Sequence, residues 1–251
     1  MVIRRGSNIN TDSILQLIKL PDLLSVCNAL FGFAAILFVL EGRGSALKTA
    51  LVFILVAALI DGLDGLAART VESSPIGKYL DSLADMISFG VAPAMVAFAL
   101  LNSNLSYTHV VYAFCGAYVV CGMLRLARFN AQTMPQTDFD GLPITGSAIF
   151  LAAFMLMAIE LDFPSYPSLL IVLMGILCIL MISRIPYRKV RDIRIMITAG
   201  IVVSTLFFFY AFYLPLFVYP AAIIVALTAV YIGSPIMPRL LNRDFKGMHR
   251  R

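Results

Sequence analysis

Apolar residues in this chain come in long unbroken runs, not at the two-residue period of a half-buried strand or along one stripe of an amphipathic helix. Eight runs have the length of a membrane-crossing helix, about 17 to 25 residues. They lie at roughly 23–40, 46–63, 83–101, 107–124, 143–159, 167–183, 194–214 and 217–233. The pattern predicts an all-α, polytopic membrane helix bundle of about eight transmembrane helices, one membrane domain over residues 23–233. Residues 1–22 form an N-terminal segment, in which 13–20 read as a short interfacial helix or as a disordered start, and 234–251 form a basic tail.

Composition narrows the class. Of 251 residues 61% are hydrophobic and 13% charged, where ordinary soluble domains carry about 25% charged residues. A water-soluble globule of this size cannot cover its surface with so few polar groups. With Gly 16, Pro 12 and Cys 4, disordered, collagen-like and disulfide-stapled classes are excluded as well. Cys27, Cys115, Cys121 and Cys178 sit in apolar runs without metal-ligand spacing and read as small buried hydrophobes.

Charge sets the orientation. Seventeen of the 19 Lys and Arg fall in the two termini and the even-numbered loops; the other two, Arg43 and Lys48, flank the first loop. The positive-inside rule places both termini in the cytoplasm. Basic residues spread over so many loops do not form a nucleic-acid patch, and no nucleic-acid partner is expected. Arg4 and Arg5 precede a polar stretch, not the apolar core of a cleavable signal.

Against this depleted background one stretch concentrates acids. Asp61 and Asp64 close the second run, and Asp81 and Asp85 open the third. Residues three or four apart share a helix face, so each pair points one way. Ser74 and Pro75 read as the cap and first turn of the third helix. Gly77, Asp81 and Asp85 form a stripe at spacing four, and Gly65 with Arg69 forms a second beside Asp64 and Ala68. Glycine in a helix costs about 1 kcal/mol relative to alanine, so glycines flanking acids suggest a close approach to the backbone, hence a pocket. Four converging carboxylates need neutralising, and Arg69 with Lys78 supplies two charges where two divalent cations supply four. Carboxylate oxygens suit Mg2+ or Mn2+, and paired metals serve phosphoryl transfer. The alternative is that the four acids simply end two helices in interfacial water.

The motif D-x-x-D-G-x-x-A-R followed by G-x-x-x-D-x-x-x-D resembles the signature of the CDP-alcohol phosphatidyltransferase family, whose members displace CMP from a CDP-linked lipid with an alcohol. Eight positions match: Asp61, Asp64, Gly65, Ala68, Arg69, Gly77, Asp81 and Asp85. Seven residues separate Arg69 from Gly77 where the family usually has eight. The resemblance implies two Mg2+ or Mn2+ ions held by Asp61, Asp64, Asp81 and Asp85, with Asp85 also the general base toward the acceptor hydroxyl. It implies room for the cytidine nucleotide at Gly65, Ala68 and Gly77, with Arg69 and Ser74 near its phosphates. It also implies a homodimer in the cytoplasmic membrane of a prokaryote, with the site on the cytoplasmic side.

Further blocks are similar to membrane phosphatidylserine synthases: Cys121 to Asn130, Phe139 to Pro143, Ser183 to Tyr187, and Asp81 through Pro93. They imply CDP-diacylglycerol or CDP-archaeol as donor and L-serine as acceptor. The stretch Pro21-Asp22-Leu-Leu-Ser25-Val-Cys-Asn28 resembles a family pattern P-N-x-x-T-x-x-N, which makes Asn28 a candidate for the nucleotide or metal site; a structural polar residue satisfied by a neighbouring helix is the other reading. Arg125, Arg128 and Arg184 read either as a clamp for an amino-acid carboxylate or diphosphate or as positive-inside anchors. Glu160 and Asp162 read as solvated outer-loop acids, Tyr210 and Tyr213 as interface belt. The rivals are the same chemistry with glycerol 3-phosphate or inositol phosphate, and a cation transporter. The latter calls for acids near mid-membrane, whereas these lie at one end.

Overall fold

The first apolar run becomes helix α1 (Leu20–Glu41) because its ends are well defined. Asp22 accepts the Lys19 backbone N–H at 2.7 Å, half of a capping box, and Pro21 sits in the first turn, where its missing N–H costs nothing. Gly42 closes the helix in the left-handed conformation at φ 67°. The computed structural model describes residues 18–42, 44–67, 74–101, 108–131, 138–188, 193–213 and 215–235. The interfacial helix read at 13–20 and the tail at 234–251 lie almost wholly outside them.

Seven more helices follow among the described residues: α2 (Gly44–Ala67), α3 (Gly77–Leu101), α4 (Thr108–Ala131), α5 (Ile144–Leu161), α6 (Tyr166–Ile182), α7 (Ile193–Ala211) and α8 (Val218–Gly233). Five of the eight, α1 to α5, are long and apolar enough to cross a membrane, while α6, α7 and α8 carry shorter apolar stretches. The architecture is therefore all-helical with five candidate spans, and the eight expected from the apolar runs are not all reached by length. One addition to the all-α expectation is a ribbon of two three-residue strands, β1 (Asp138–Asp140) and β2 (Pro186–Arg188), paired antiparallel with Phe139 opposite Tyr187. It joins the loops after α4 and α6, and three residues are too few for an alternation legible in sequence.

Helix α5 is the centre of the bundle. Leu151, Ala152, Ala153, Met155 and Leu156 are all 0% exposed, as befits a helix apolar all round. The outer helices instead turn apolar side chains outward: Leu23, Leu30, Phe33, Leu37 and Leu40 on α1, Val172, Ile176 and Ile179 on α6, Ile223, Leu227 and Val230 on α8. A surface of this kind is compatible with lipid and not with water. Cys115, Cys121 and Cys178 are buried as expected; Cys27 is exposed, because it lies on the outward face of α1.

Polar contacts gather at the two ends. At one, Lys48 pairs with Glu160, Thr49 meets the Tyr210 hydroxyl, and Tyr210 also donates to the Ser45 carbonyl at 3.3 Å. Glu160, a quarter exposed, and Tyr210 thus also tie α2, α5 and α7 together, since a polar group in an apolar bundle needs a partner. Tyr213, 94% exposed, remains at the surface.

Helices α1 and α3 cross closely at Gly32 and Ser88. A Cβ on Gly32 would lie 2.6 Å from the Ser88 Cα, and the Ser88 hydroxyl donates to the Asn28 carbonyl at 2.8 Å. Gly32→Ala should push the two helices apart and cost about 1–3 kcal/mol as an overpacked contact. Thermal unfolding in detergent measures this as a lowered midpoint relative to the parent protein.

Candidate active site

Two helices deliver the acids to one point. Asp61 lies in the last two turns of α2, and Asp81 and Asp85 lie one turn apart in α3. Their carboxylates each place an oxygen within 4.8 Å of the others, and Asp85 is only 7% exposed. A third helix of the site, α1, supplies Asn28, 0% exposed, whose amide donates to Asp85 Oδ1 at 3.2 Å. The Asn28 Oδ1 is buried without a hydrogen-bond partner among the described residues.

The backbone of α3 changes at this point. From Met86 to Val91 it is π-helical, starting directly after Asp85. An inserted π turn widens the helix and shifts the register of the residues after it. Asp81 and Asp85 share a stripe of the regular helix just before this turn, and Ser88, Phe89 and Gly90 within it are all buried.

The start of α3 differs from expectation. Ser74 does not cap the helix; its hydroxyl accepts the Ile76 N–H at 3.2 Å and its carbonyl accepts the Gly77 N–H at 3.2 Å, making a turn of residues 74–77. Serine favours such local turns, and the helix begins at Gly77. A Cβ on Gly77 would lie 2.8 Å from Asp22 Oδ1, so this glycine lets a buried carboxylate of α1 sit against α3. Asp64 and Gly65 belong to the last turn of α2, the Asp64 side chain lying outside the described residues, as do Ala68 and Arg69 entirely.

The opposite wall comes from α4 and α5. Thr145, in the first turn of α5, donates to Asp61 Oδ2 at 3.4 Å. Arg125 is 7% exposed and stands over the Phe129 ring at 5.6 Å; Asp85 and Asp61 are among its electrostatic neighbours. Lys78 approaches the same ring at 5.3 Å and donates to the Asn130 carbonyl at 3.1 Å, fastening α3 to the end of α4. From sequence Lys78 reads only as a charge near the acids and Phe129 only as part of the Cys121 to Asn130 block, and Thr145 has no reading. A threonine inside Ile144-Thr145-Gly146 carries no local signal, and only the packing of α5 against α2 brings it to Asp61.

The three arginines separate. Arg125 alone lies buried beside the acids. Arg128 donates to the Ile182 and Met181 carbonyls, both at 3.0 Å, and to the Asp140 carbonyl. A cation on the last carbonyls of α6 satisfies groups the helix leaves open and complements its dipole. Gly141, at φ 83°, fits beneath this guanidinium, where a Cβ would lie 2.6 Å from Arg128 Nη2. Arg184 is exposed in the turn before β2.

The donor set suits a divalent ion. Three carboxylates this close repel, and Arg125 contributes one positive charge. Hard cations take carboxylate oxygens together with amide oxygens, and the Asn28 oxygen beside Asp85 is of that kind. The fit rests on Asp61, Asp81 and Asp85, with Asp64 adjacent in the chain.

Apolar helices, five of them long enough to cross a membrane, together with a cluster of three carboxylates that could hold a metal ion, define the class of this protein as far as the fold and site reach. A family model described as CDP-alcohol phosphatidyltransferase matches residues 18–183. The chain is 37% identical over 184 residues to the archaetidylserine synthase of Methanothermobacter thermautotrophicus, covering 72% of this chain and 74% of that one. It is 32% identical over 169 residues to the CDP-diacylglycerol–serine O-phosphatidyltransferase of Bacillus subtilis, covering 67% and 89%. It is 35% identical over 191 residues to the protein of the same name from Mycobacterium leprae, covering 70% and 60%. The chain belongs to the CDP-alcohol phosphatidyltransferase family, and it is an enzyme of that family.

Arg128→Ala should lower stability by about 2–4 kcal/mol, since hydrogen bonds to a charged group contribute about 1.5–3 kcal/mol each and the carbonyls partly regain solvent partners. Arg128→Lys should recover only part of this, because an ammonium lacks the planar fork. Thermal unfolding of the three proteins in one detergent ranks them.

Proposed function

We propose that this enzyme transfers a phosphatidyl or archaetidyl group from a CDP-activated lipid to the hydroxyl of L-serine, releasing CMP. The observation that carries the reading is the cluster of Asp61, Asp81 and Asp85 inside the family-matched segment. The names of the relatives supply serine as the acceptor. Nucleotide contacts are assigned by the motif to Gly65, Ala68, Arg69, Ser74 and Gly77, with Asn28 at their boundary with the acids.

Asp61, Asp64, Asp81 and Asp85 would hold two Mg2+ or Mn2+ ions. Bound there, such ions would supply positive charge against the donor diphosphate and the leaving CMP. Asp85 accepts the proton of the serine hydroxyl as its oxygen attacks the phosphorus next to the lipid; the bond from that phosphorus to the oxygen of CMP breaks, and the proton leaves Asp85 for solvent. Such a base must be ionised and within hydrogen-bond reach of the hydroxyl. Asn28 supports both requirements by donating to Asp85 Oδ1, and Thr145 fixes Asp61. Arg125 binds the serine carboxylate or a donor phosphate, where a guanidinium gives a forked, charge-assisted contact. Arg128 serves as scaffold, and Arg184 meets substrate at the mouth of the site.

Orientation follows from charge and from the gathering of contacts. The end of α2, the starts of α3 and α5, and the ends of α4, α6 and α8 lie around the acids, while the start of α2 meets the ends of α5 and α7 through Lys48, Glu160 and Tyr210. This supports an alternating bundle of eight spans over 23–233, with the acids and both termini in the cytoplasm of a prokaryote.

Purified protein given CDP-diacylglycerol, Mn2+ or Mg2+, and L-serine, glycerol 3-phosphate or inositol phosphate in separate reactions should form a lipid product by mass spectrometry with serine only. A product with another acceptor and none with serine overturns the acceptor assignment. Chelation should stop turnover, and added Mn2+ or Mg2+ should restore it. Asp85→Asn should lose at least 100-fold in kcat, in the range expected for a general base. Asp81→Asn should also weaken Mn2+ binding as measured by electron paramagnetic resonance.

A further inference from the structure

Three contacts step together along α1 and α3, which run in the same direction. Asp22 faces Gly77 at the start of both helices, Asn28 meets Asp85 further in, and Gly32 meets Ser88 beyond that. Asn28 and Gly32 are four apart on α1, and Asp85 and Ser88 three apart on α3, so each pair turns one face to the other helix. Asn28 and Ser88 are fully buried in this seam, and Asp85 nearly so.

Ser88 closes a ring of contacts there. Its hydroxyl donates to the Asn28 main-chain carbonyl at 2.8 Å. The Asn28 side-chain amide donates to Asp85 Oδ1 at 3.2 Å, and the chain from Asp85 to Ser88 completes the ring through the first turn of the π-helical segment. Main chain and side chain of Asn28 are thus held at two points of α3. The absent side chain of Gly32 admits the hydroxyl, since a Cβ there would overlap Ser88 Oγ.

The Ser88 hydrogen bond is not needed to build α1. Asn28 lies well inside that helix, where a carbonyl has the N–H four residues on as its partner. The hydroxyl takes the second lone pair of the carbonyl. Its effect is on register: it fixes the height along α3 at which the Asn28 turn sits. A slide of α1 by the rise of a single residue, about 1.5 Å, would stretch or bend the Asn28–Asp85 contact out of hydrogen-bonding range. Misplacement of a reacting group by about 1 Å can cost about 100-fold in rate.

We propose that Ser88 is a positioning residue for the transfer: through the Asn28 main chain it sets where the Asn28 amide meets Asp85, and so where the carboxylate that takes the acceptor's proton stands. The role rests on the reading of Asp85 as general base, and it adds to the acids of the motif a residue that acts only through another side chain.

The test is a double-mutant cycle between Ser88→Ala and Asn28→Ala, the second of which removes the amide and keeps the carbonyl that Ser88 binds. In the parent enzyme Ser88→Ala should lower kcat at least 5-fold, with the KM for serine and for CDP-diacylglycerol each within 2-fold. In the Asn28→Ala background the same change should lower kcat less than 2-fold, because the side chain through which Ser88 acts is gone. Ser88→Cys keeps the size and a weaker donor; it should fall between serine and alanine, and it replaces Ser88→Ala in the cycle if the alanine variant does not fold. If Asn28→Ala abolishes turnover, the cycle is read in Mn2+ binding by electron paramagnetic resonance, where Ser88→Ala should weaken binding at least 3-fold alone and less than 1.5-fold beside Asn28→Ala. Equal losses with and without the Asn28 amide, or a kcat within 2-fold of the parent, overturn the proposal and leave Ser88 a packing residue. Retention of the parent's kcat by Asp85→Asn overturns the base reading instead, whatever the cycle gives.

Discussion

Mutual repulsion among carboxylates held within 4.8 Å of one another at the end of an apolar bundle is the constraint that the other features of this site answer. Such groups are costly to bury in a low-dielectric environment unless charge and hydrogen bonds compensate. Compensation arrives from every surrounding helix: the Asn28 amide from α1, the Thr145 hydroxyl from α5, the Arg125 guanidinium from α4. A divalent ion held there would add more charge than any side chain carries. Removing the charge from the centre would leave these donors aimed at nothing, so site and scaffold are stable only together.

Rigidity comes from how α3 is built. Its π-helical turn begins after Asp85 and is clasped by α1 through Gly32 and Ser88. A widened turn is a poor structure by itself and survives where neighbours hold it. The clasp therefore links the direction of Asp81 and Asp85 to the packing of two helices, and the positions of the reacting groups are set by contacts deep in the bundle. At the other end the Lys48–Glu160 pair and the Thr49–Tyr210 contact bind α2, α5 and α7 into the same unit.

Much of this was legible from particular residues. Apolar runs marked the helices, and the spacing that singled out Asp61, Asp81 and Asp85 is matched by their convergence, because one-dimensional spacing maps directly onto a helix face. Other residues were misplaced for want of a third dimension. Glu160 reads as solvated and Tyr210 as interface belt, and neither reading contains their contacts across helices. Ser74 reads as a cap and instead makes a turn, since its hydroxyl can satisfy either local geometry. Arg125 and Arg128 are indistinguishable in sequence, three residues apart on one helix, yet one is buried by the acids and the other closes the end of α6.

The amino-acid sequence by itself determined the solvent, the helices and the identity of the acids, since hydrophobicity and helical periodicity are local properties of the chain. Only the tertiary structure decided which side chains support them. Asn28 and Thr145 lie 57 and 84 residues from the acids they bind. Their meeting depends on helices packing in one arrangement, and pairing across such separations leaves no periodic trace in the chain. Scarce charge in the sequence pointed to a membrane protein; convergence of a few polar side chains from separate helices gave it a site.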